Sequence, residues 1–420
     1  MGMTVIEKIL AKHAGIDQVS PGEIIDANID RILVNDVTGP IAIKQMQQMG
    51  YETVFDREKV VFVMDHFTPN SSISAATQCK VCRDYAKKYD LPYFFDSVGI
   101  EHAILPEQGL VAPGSLVIGA DSHTCTHGAL GAFSSGMGST DVAVGMATGK
   151  VWLKVPASIK VEFMGTPKKY ICGKDMVLKA IQIMGVSGAT YKAIEFCGSS
   201  IGALQMSDRF TICNMVIEAG AKCGIIPADA VTRQYIENMP TISEPVYYES
   251  DADAVYEASY VIDVSELESQ VAAPHLPENV HTANQLGNVM LDQVLIGSCT
   301  NGRIEDLRVA AGLLEGQKVH PYVRLIVIPA SMKIYRQALK EGLIDVLIKA
   351  GAIISAPTCG PCFGGHTGIL AAGEKCLSTT NRNFKGRMGD ADSEVYLSSS
   401  AVAAASAIKG RITDPNEVIK

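Results

Sequence analysis

The sequence predicts an α/β protein built on largely parallel sheets covered by helices on both faces. Short apolar, β-branched runs alternate along the chain with stretches of helical spacing, the order that parallel sheets require. The 38 glycines gather at the ends of those runs, where backbone must turn or approach a ligand closely. Hydrophobic residues make up 47% of the 420-residue chain and charged residues 19%, which suits a large buried core and argues against disorder.

Taken in order, Lys59–Met64 (KVVFVM), Ser115–Gly119 (SLVIG) and Ala157–Met164 (ASIKVEFM) read as strands. Gln293–Ile296 (QVLI), Tyr322–Ile328 (YVRLIVI) and Ala352–Ile354 (AII) repeat the pattern. Helical spacing marks Ser71–Lys88, Asp175–Met184, Asp306–Leu314 and Ile334–Leu339. Two breaks divide the chain: Val155-Pro156, after a Gly/Ala/Ser-rich stretch, and the Pro-rich loop Ala272–Asn279. The expected domains are therefore residues 1–155, 156–278 and 279–420. No repeat of fixed period and no low-complexity tail is visible.

The 36 basic and 45 acidic residues leave a net charge of −9. A nucleic-acid partner is not expected, since backbone phosphates require a basic face. No run long and apolar enough for a membrane helix occurs. Glu7, Lys8 and Lys12 interrupt the N-terminal apolar residues, so no secretory signal is predicted and a cytoplasmic location follows. Thiols stay reduced there, so the 11 cysteines are read as packing groups or metal ligands rather than disulfides. Cys172, Cys197, Cys213 and Cys223, scattered among apolar neighbours, fall in the first class.

Three cysteines stand apart. Cys299 lies in GSCTNGR directly after QVLI, and Cys359 and Cys362 lie in TCGPCFGG shortly after AII. Both are glycine-containing loops at the C-terminal ends of predicted strands, the edge where open α/β sheets bind ligands. A C-x-x-C pair fits zinc, redox or iron–sulfur chemistry, and the Pro and Gly inside this one expose backbone amides that can donate to cluster sulfides. Electron-transfer clusters take four thiolates, whereas a cluster held by three leaves one iron open to act as a Lewis acid. The alternative is a zinc site completed by Cys376 or His366. Cys79 and Cys82 form a second C-x-x-C inside a helical stretch without glycine and are read as packing, with a metal or redox pair as the alternative.

Polar clusters follow the same strands. Asp65-His66 ends KVVFVM, where the pair can orient a proton donor or Asp65 can cap a turn. The segment Asp121–His127 (DSHTCTH) follows SLVIG and is too dense in ionisable and hydroxyl groups for a bare turn. His123 and His127, four apart, could share zinc on a helix, but no H-E-x-x-H accompanies them and Gly128 follows at once. Glu218 sits in the apolar helical stretch Thr211–Ala221, with Asn214 one turn earlier on the same face, so its carboxylate is either solvent-facing or functional. Asn381 opens NRNFKGR, in which Arg382 and Arg387 can take a carboxylate bidentately or form a solvated basic loop.

Together GSCTNGR, TCGPC, NRNFKGR, the Asp-His pair and GADSHT resemble the aconitase superfamily, in its order and over nearly the whole chain. The resemblance is closest to the isopropylmalate branch, and the homoaconitase and 2,3-dimethylmalate dehydratase branches are similar. It implies three α/β/α domains around a [4Fe–4S] cluster held by Cys299, Cys359 and Cys362, with one iron open. It further implies a hydro-lyase acting reversibly on a small hydroxy dicarboxylic acid, a substituted malate, and in the isopropylmalate branch a place in leucine biosynthesis.

On the same matching, Asp65, His66, Asp121, His123 and Glu218 correspond to the catalytic acids and histidines. Arg382 and Arg387 correspond to the arginines that bind substrate carboxylates, Ser122 to a further substrate-binding group, and Asn214 and Asn381 to supporting amides of the substrate site. Thr126 stands where aconitase itself has Asn, which favours a substrate lacking one of citrate's contacts. Asn35–Thr38 is expected to line the end of the site that meets the variable part of the substrate. The superfamily's mobile fourth domain, with its serine base and a further arginine, has no counterpart in the sequence, so the resemblance implies a separate small subunit that supplies the base. Three rival readings are an electron-transfer protein using Cys376 as fourth thiolate, an iron-regulated binding protein, and a zinc hydrolase using His123 and His127.

Overall fold

The alternation of apolar runs and helices folds, in a computed structural model that describes residues 2–239 and 241–418, into four sheets among those residues. The first is five-stranded and wholly parallel: Phe94–Asp96, Val60–Met64, Arg31–Asn35, Leu116–Gly119 and Phe133–Gly136 in spatial order. Val60–Met64 and Leu116–Gly119 are buried at every position, which is why they read as continuous apolar runs. The antiparallel ribbon of Ile24–Asn28 with Lys150–Lys154 instead alternates exposed and buried residues, because one face alone meets the core.

A second parallel sheet orders Cys223–Ile225, Ala193–Cys197, Ser158–Met164 and Ala258–Asp263. The third has seven strands: Val280–Thr282, Gln270–Ala272, Glu394–Ser398, Lys375–Ser378, Gln293–Gly297, Arg324–Ile328 and Ile353–Ile354. Gln270–Ala272 pairs antiparallel with both of its neighbours, and the five strands from Glu394–Ser398 onward run parallel to one another. A core cluster containing Val63, Val117, Phe163, Phe196, Leu295 and Ile326 draws on all three of these sheets. Each such fully buried side chain stabilises the fold by about 1.5–3 kcal/mol, so this shared cluster ties the three sheets to one another.

All six strands and four helices read from the sequence form. Ser72 caps Ile73–Lys88 by accepting from Ala75 N–H at 3.1 Å, and Ser331 starts Met332–Lys340 by accepting from Ile334 N–H at 3.2 Å. Two readings need correction. Thr211–Ala221 is not one helix: the α-helix Met206–Asn214 tightens into the 3₁₀ turn Met215–Ala219 and stops at Gly220, whose φ of 85° is left-handed. The loop Ala272–Asn279 joins two neighbouring strands, with Ala272 opposite Val280, so the third sheet begins at Gln270. Cys79 and Cys82 are fully buried, while Cys172 and Cys197 are half-buried rather than core. Among the described residues no helix is long and apolar enough to cross a membrane.

Candidate active site

Loops leaving the C-terminal edges of the first and third sheets meet across a cavity of about 190 Å³. Cys299, Cys359 and Cys362 all line it. Cys299 is placed by a sharp exit from its strand: Gly297 has φ 140°, and a Cβ there would sit 2.3 Å from the Ile328 carbonyl oxygen. Ser298 follows at φ 81°, a conformation that costs a non-glycine residue about 1–3 kcal/mol, and its Oγ is held 2.8 Å from Thr300 Oγ1. The Cys359–Cys362 turn packs on His366 so closely that a Cβ on Gly360 would lie 2.1 Å from that ring. Cys359 N–H and Thr358 Oγ1 both donate to the Asp65 carbonyl, at 2.9 and 2.8 Å, which locks this loop to the first sheet.

The surroundings of the sulfurs suit anionic ligands. Asn214 and Asn381 each donate through Nδ2 to Cys299 Sγ at 3.3 Å, and Arg387 Nη2 lies 3.9 Å from Cys362 Sγ. A hydrogen bond from Cys359, with Arg387 and His123 nearby, holds the Cys362 thiol well below its ordinary pKa against the effect of burial. Burial pushes Cys299 up to about 12. Three thiols ringed by amide and guanidinium donors form a soft, hydrogen-bonded donor set that fits an iron–sulfur cluster. Cys376 is not beside them. It pairs with Gln293 at the opposite end of Gln293–Gly297, about 13 Å from the edge where Cys299 emerges. His366 Nε2 is 3.1 Å from the His66 carbonyl and 3.2 Å from Thr358 Oγ1, and does not line the cavity.

Opposite the cysteines, acids and imidazoles interlock. His66 Nδ1 shares a 2.7 Å hydrogen bond with Asp65 Oδ1, and its Nε2 lies 3.6 Å from Asp121 Oδ2. Burial opposes the His66 imidazolium, but the charge of Asp65 and the hydrogen bonds of Asp121 and Asp65 outweigh it and lift its pKa well above the ordinary value. His123 Nε2 pairs with Glu218 Oε1 at 2.9 Å, and Arg382 Nε donates to that same oxygen at 2.9 Å. Burial and Arg382 oppose a charge on His123, and its bonds to Asp121 and Glu218 prevail and raise its pKa. Asp121 itself is held well below the usual carboxylate range: burial works against its charge and is outweighed by His102, His123 and His66.

His66, Asp121, His123, Asn381, Arg382 and Arg387 face the cavity, as do Asn35, Val37 and Thr38. Asp65, Asn214 and Glu218 stand behind them, holding the residues that do. Ser122 opens the 3₁₀ helix Ser122–Leu130 and is not a lining residue. Thr126 is also recessed, donating to the His123 carbonyl at 2.6 Å and accepting from Asn214 Nδ2 at 2.8 Å. His123 and His127 diverge, because His127 packs edge-on against His102 with ring centroids 5.5 Å apart.

Two ionisable lining residues escaped the sequence reading, Glu101 and His102. His102 Nε2 sits 3.0 Å from Asp121 Oδ1, and burial pushes its pKa down. Glu101 Oε1 accepts from Asn35 Nδ2 at 3.2 Å, while its Oε2 is buried without a partner. The signal was present as a second acid–histidine dipeptide, in GIEHAIL.

Residues 7–288 and 281–410 match the aconitase family (aconitate hydratase). The 3-isopropylmalate dehydratase large subunits of Thermodesulfovibrio yellowstonii and Syntrophus aciditrophicus are each 57% identical to this chain, over 100% of both chains. That of Aquifex aeolicus is 56% identical over 100% of this chain and 98% of its own. The solved holo-form of Thermococcus kodakaraensis aconitase X aligns with 90% of this chain and 89% of its own at 12% identity and a TM-score of 0.49, too distant to bear on the site. A family match across most of the sequence, and full-length relatives identical at more than half their positions, make this chain a member of the aconitase family.

Proposed function

We propose that this chain is the large subunit of a hydro-lyase that reversibly dehydrates a substituted malate, with 3-isopropylmalate as the substrate. The observation that carries the reading is the meeting of three cysteines, the paired imidazoles of His66 and His123, and Arg382 with Arg387 in one cavity. Relatives named 3-isopropylmalate dehydratase large subunit support this substrate and a separate small subunit.

Cys299, Cys359 and Cys362 would hold a [4Fe–4S] cluster with one iron lacking a protein ligand. When bound, such a cluster supplies a Lewis acid that draws charge from the leaving hydroxyl group. The chain's own residues do the rest. Arg387, whose Nε is buried without a partner, and Arg382 receive the substrate carboxylates. Their charge stabilises the negative charge that builds beside a carboxylate as the adjacent carbon loses its proton. His66 donates the proton that the departing hydroxyl needs, through Nε2. That nitrogen is only loosely engaged by Asp121 at 3.6 Å, whereas His123 Nε2 is taken up by Glu218 at 2.9 Å. Asp65 fixes the His66 ring, and Glu218 fixes both His123 and Arg382. Val37 and Thr38 face the substituent that distinguishes one malate from another. The proton-abstracting base comes from the small subunit.

The test is a hydration assay on isopropylmaleate, dimethylmaleate and homoaconitate, with the chain loaded with iron and sulfide and combined with its small-subunit partner. Fastest turnover of isopropylmaleate is expected, and preference for either rival would move the substrate assignment to that branch. Inactivity of a fully loaded pair on all three would overturn the reading. Cys362→Ser should abolish both the cluster absorbance and hydration, and full activity without iron would refute the cluster role.

A further inference from the structure

Lys174 is a charged side chain that the proposed reaction does not use. It lies in the first turn of Gly173–Met184 and is completely buried, at 0% exposure. Its ammonium donates to two main-chain carbonyls, of Thr379 at 2.9 Å and of Thr380, neither of which carries a charge. A buried cation without an anion is expensive, so its counter-charge must lie close by. The nearby carboxylates are engaged elsewhere: Asp175 accepts from the main-chain N–H groups of Gln270 at 2.8 Å and Cys172 at 3.1 Å, and Asp306 from Asn301 Nδ2 at 2.9 Å and Arg303 N–H at 3.1 Å. Burial pulls the Lys174 ammonium down to about 8, and the sulfurs of Cys172, Cys299 and Cys362 are the remaining groups that act against that shift.

The carbonyls it grips lead straight to those sulfurs. Thr379 Oγ1 donates to the Gly297 carbonyl and accepts from Gly297 N–H, both at 2.9 Å, and Thr300 Oγ1 donates to the Thr379 carbonyl at 2.6 Å. Asn381, the residue after Thr380, donates to Cys299 Sγ at 3.3 Å. The ammonium therefore stands directly behind the loop that carries Cys299. Three thiolates make a loaded site anionic, and one-electron reduction adds a further negative charge that a fixed cation favours.

We propose that Lys174 is a positioning residue that supplies the fixed positive charge behind the cluster, favouring its reduced state and its retention. The inference rests on the cluster reading above. The test uses the loaded protein with Lys174→Met and Lys174→Gln, of which the amide keeps a donor for the carbonyls but no charge. Both should lower the midpoint potential in a dithionite titration followed by electron paramagnetic resonance, by the equivalent of about tenfold in the reduction equilibrium, about 59 mV for one electron. Both should also lose iron to a chelator several-fold faster. Unchanged potential and unchanged iron loss in both, beside a wild type carrying full iron and sulfide, would overturn the proposal. If neither variant holds a cluster, melts of the metal-free proteins decide: melting with the metal-free wild type assigns the loss to cluster retention and supports it, and a collapsed melt assigns Lys174 to the fold and overturns it. A wild type that binds no iron and sulfide would overturn the cluster reading itself, and this inference with it, a failure visible before any variant is made.

Discussion

Glu101→Gln measures the protonation state of the acid that faces the cavity without a full set of partners. Glu101 is 1% exposed, and burial first, then the charges of Asp65 and Asp121, push its pKa well above the ordinary value. The folded protein therefore holds this proton to higher pH than the unfolded chain, which releases it near about pH 4.3. Between those two pKa values the native state holds one more proton than the unfolded state, so stability falls as pH rises, by about 1.4 kcal/mol per unit. Glutamine keeps an oxygen for Asn35 Nδ2 and cannot titrate, so it removes that slope. Above the unfolded pKa the variant should gain about 1.4 kcal/mol relative to wild type for each pH unit over which the folded protein keeps the Glu101 proton. An unfolding entropy of about 2.1 cal/mol/K per residue gives a chain of 420 residues about 0.9 kcal/mol/K, so the Tm difference should widen by about 1.5 °C per pH unit. Thermal melts of the metal-free protein at rising pH check it. A difference that stays constant, or narrows, would mean that Glu101 is ionised in the fold and would refute the reasoning.

Three further outcomes follow from the site. His66→Gln should cut kcat of the assembled enzyme by about 10²–10⁴-fold with little change in KM, and an unaffected kcat would remove His66 as proton donor. Asn381→Ala takes one of two amide donors from Cys299 Sγ and strands Asn214 Oδ1, which it meets at 3.0 Å. A loss of about 1–3 kcal/mol in cluster retention is expected, read from the rate of iron release to a chelator. Gly297→Ala places a Cβ 2.3 Å from the Ile328 carbonyl at φ 140°, and should prevent normal loading by displacing the Cys299 loop, as judged by iron and sulfide content.

The parts legible in the sequence are those where a strand exits into a dense polar motif. Asp65-His66 and Asp121–His123 follow runs buried at every position, and such runs are hard to mistake. Cys299 and the Cys359–Cys362 turn were readable for the same reason, with glycines marking the sharp exits. What stayed hidden lacks that signature. Glu101 and His102 open a helix of seven residues, too short for periodicity to declare a face, and an acid beside an imidazole on a helix reads as solvated surface. Gln270–Ala272 and Val280–Thr282 are three-residue strands that pair at one end of the third sheet, so the proline-rich turn between them read as a boundary. The tightening at Met215 depends on packing and left no trace in composition. Lys174 is the plainest case: helical patterning places lysine on the wet face, and only the carbonyl pair at the end of Lys375–Ser378 reveals why this one is buried.

Asp65 shows how the two halves of the site are kept in register. Its Oδ1 fixes the His66 ring at 2.7 Å, its Oδ2 accepts from Glu101 N–H at 2.7 Å, and its carbonyl receives Cys359 N–H and Thr358 Oγ1 at 2.9 and 2.8 Å. One residue at the end of one strand thus positions an imidazole, the start of the helix that carries Glu101 and His102, and a cysteine loop from another sheet. A shift of that strand end would move the His66 ring and the Cys359–Cys362 loop together. The charges obey the same economy of placement. The Asp121 carboxylate meets three imidazoles and Glu218 is shared by His123 and Arg382, so these acids are neutralised within the chain. Arg387 is the exception, with one nitrogen turned to Cys362 and Nε unpartnered in a buried position. A dianionic substrate entering such a site meets little uncompensated negative charge and one arginine with a donor to spare, which is the arrangement that lets binding energy be directed to its carboxylates.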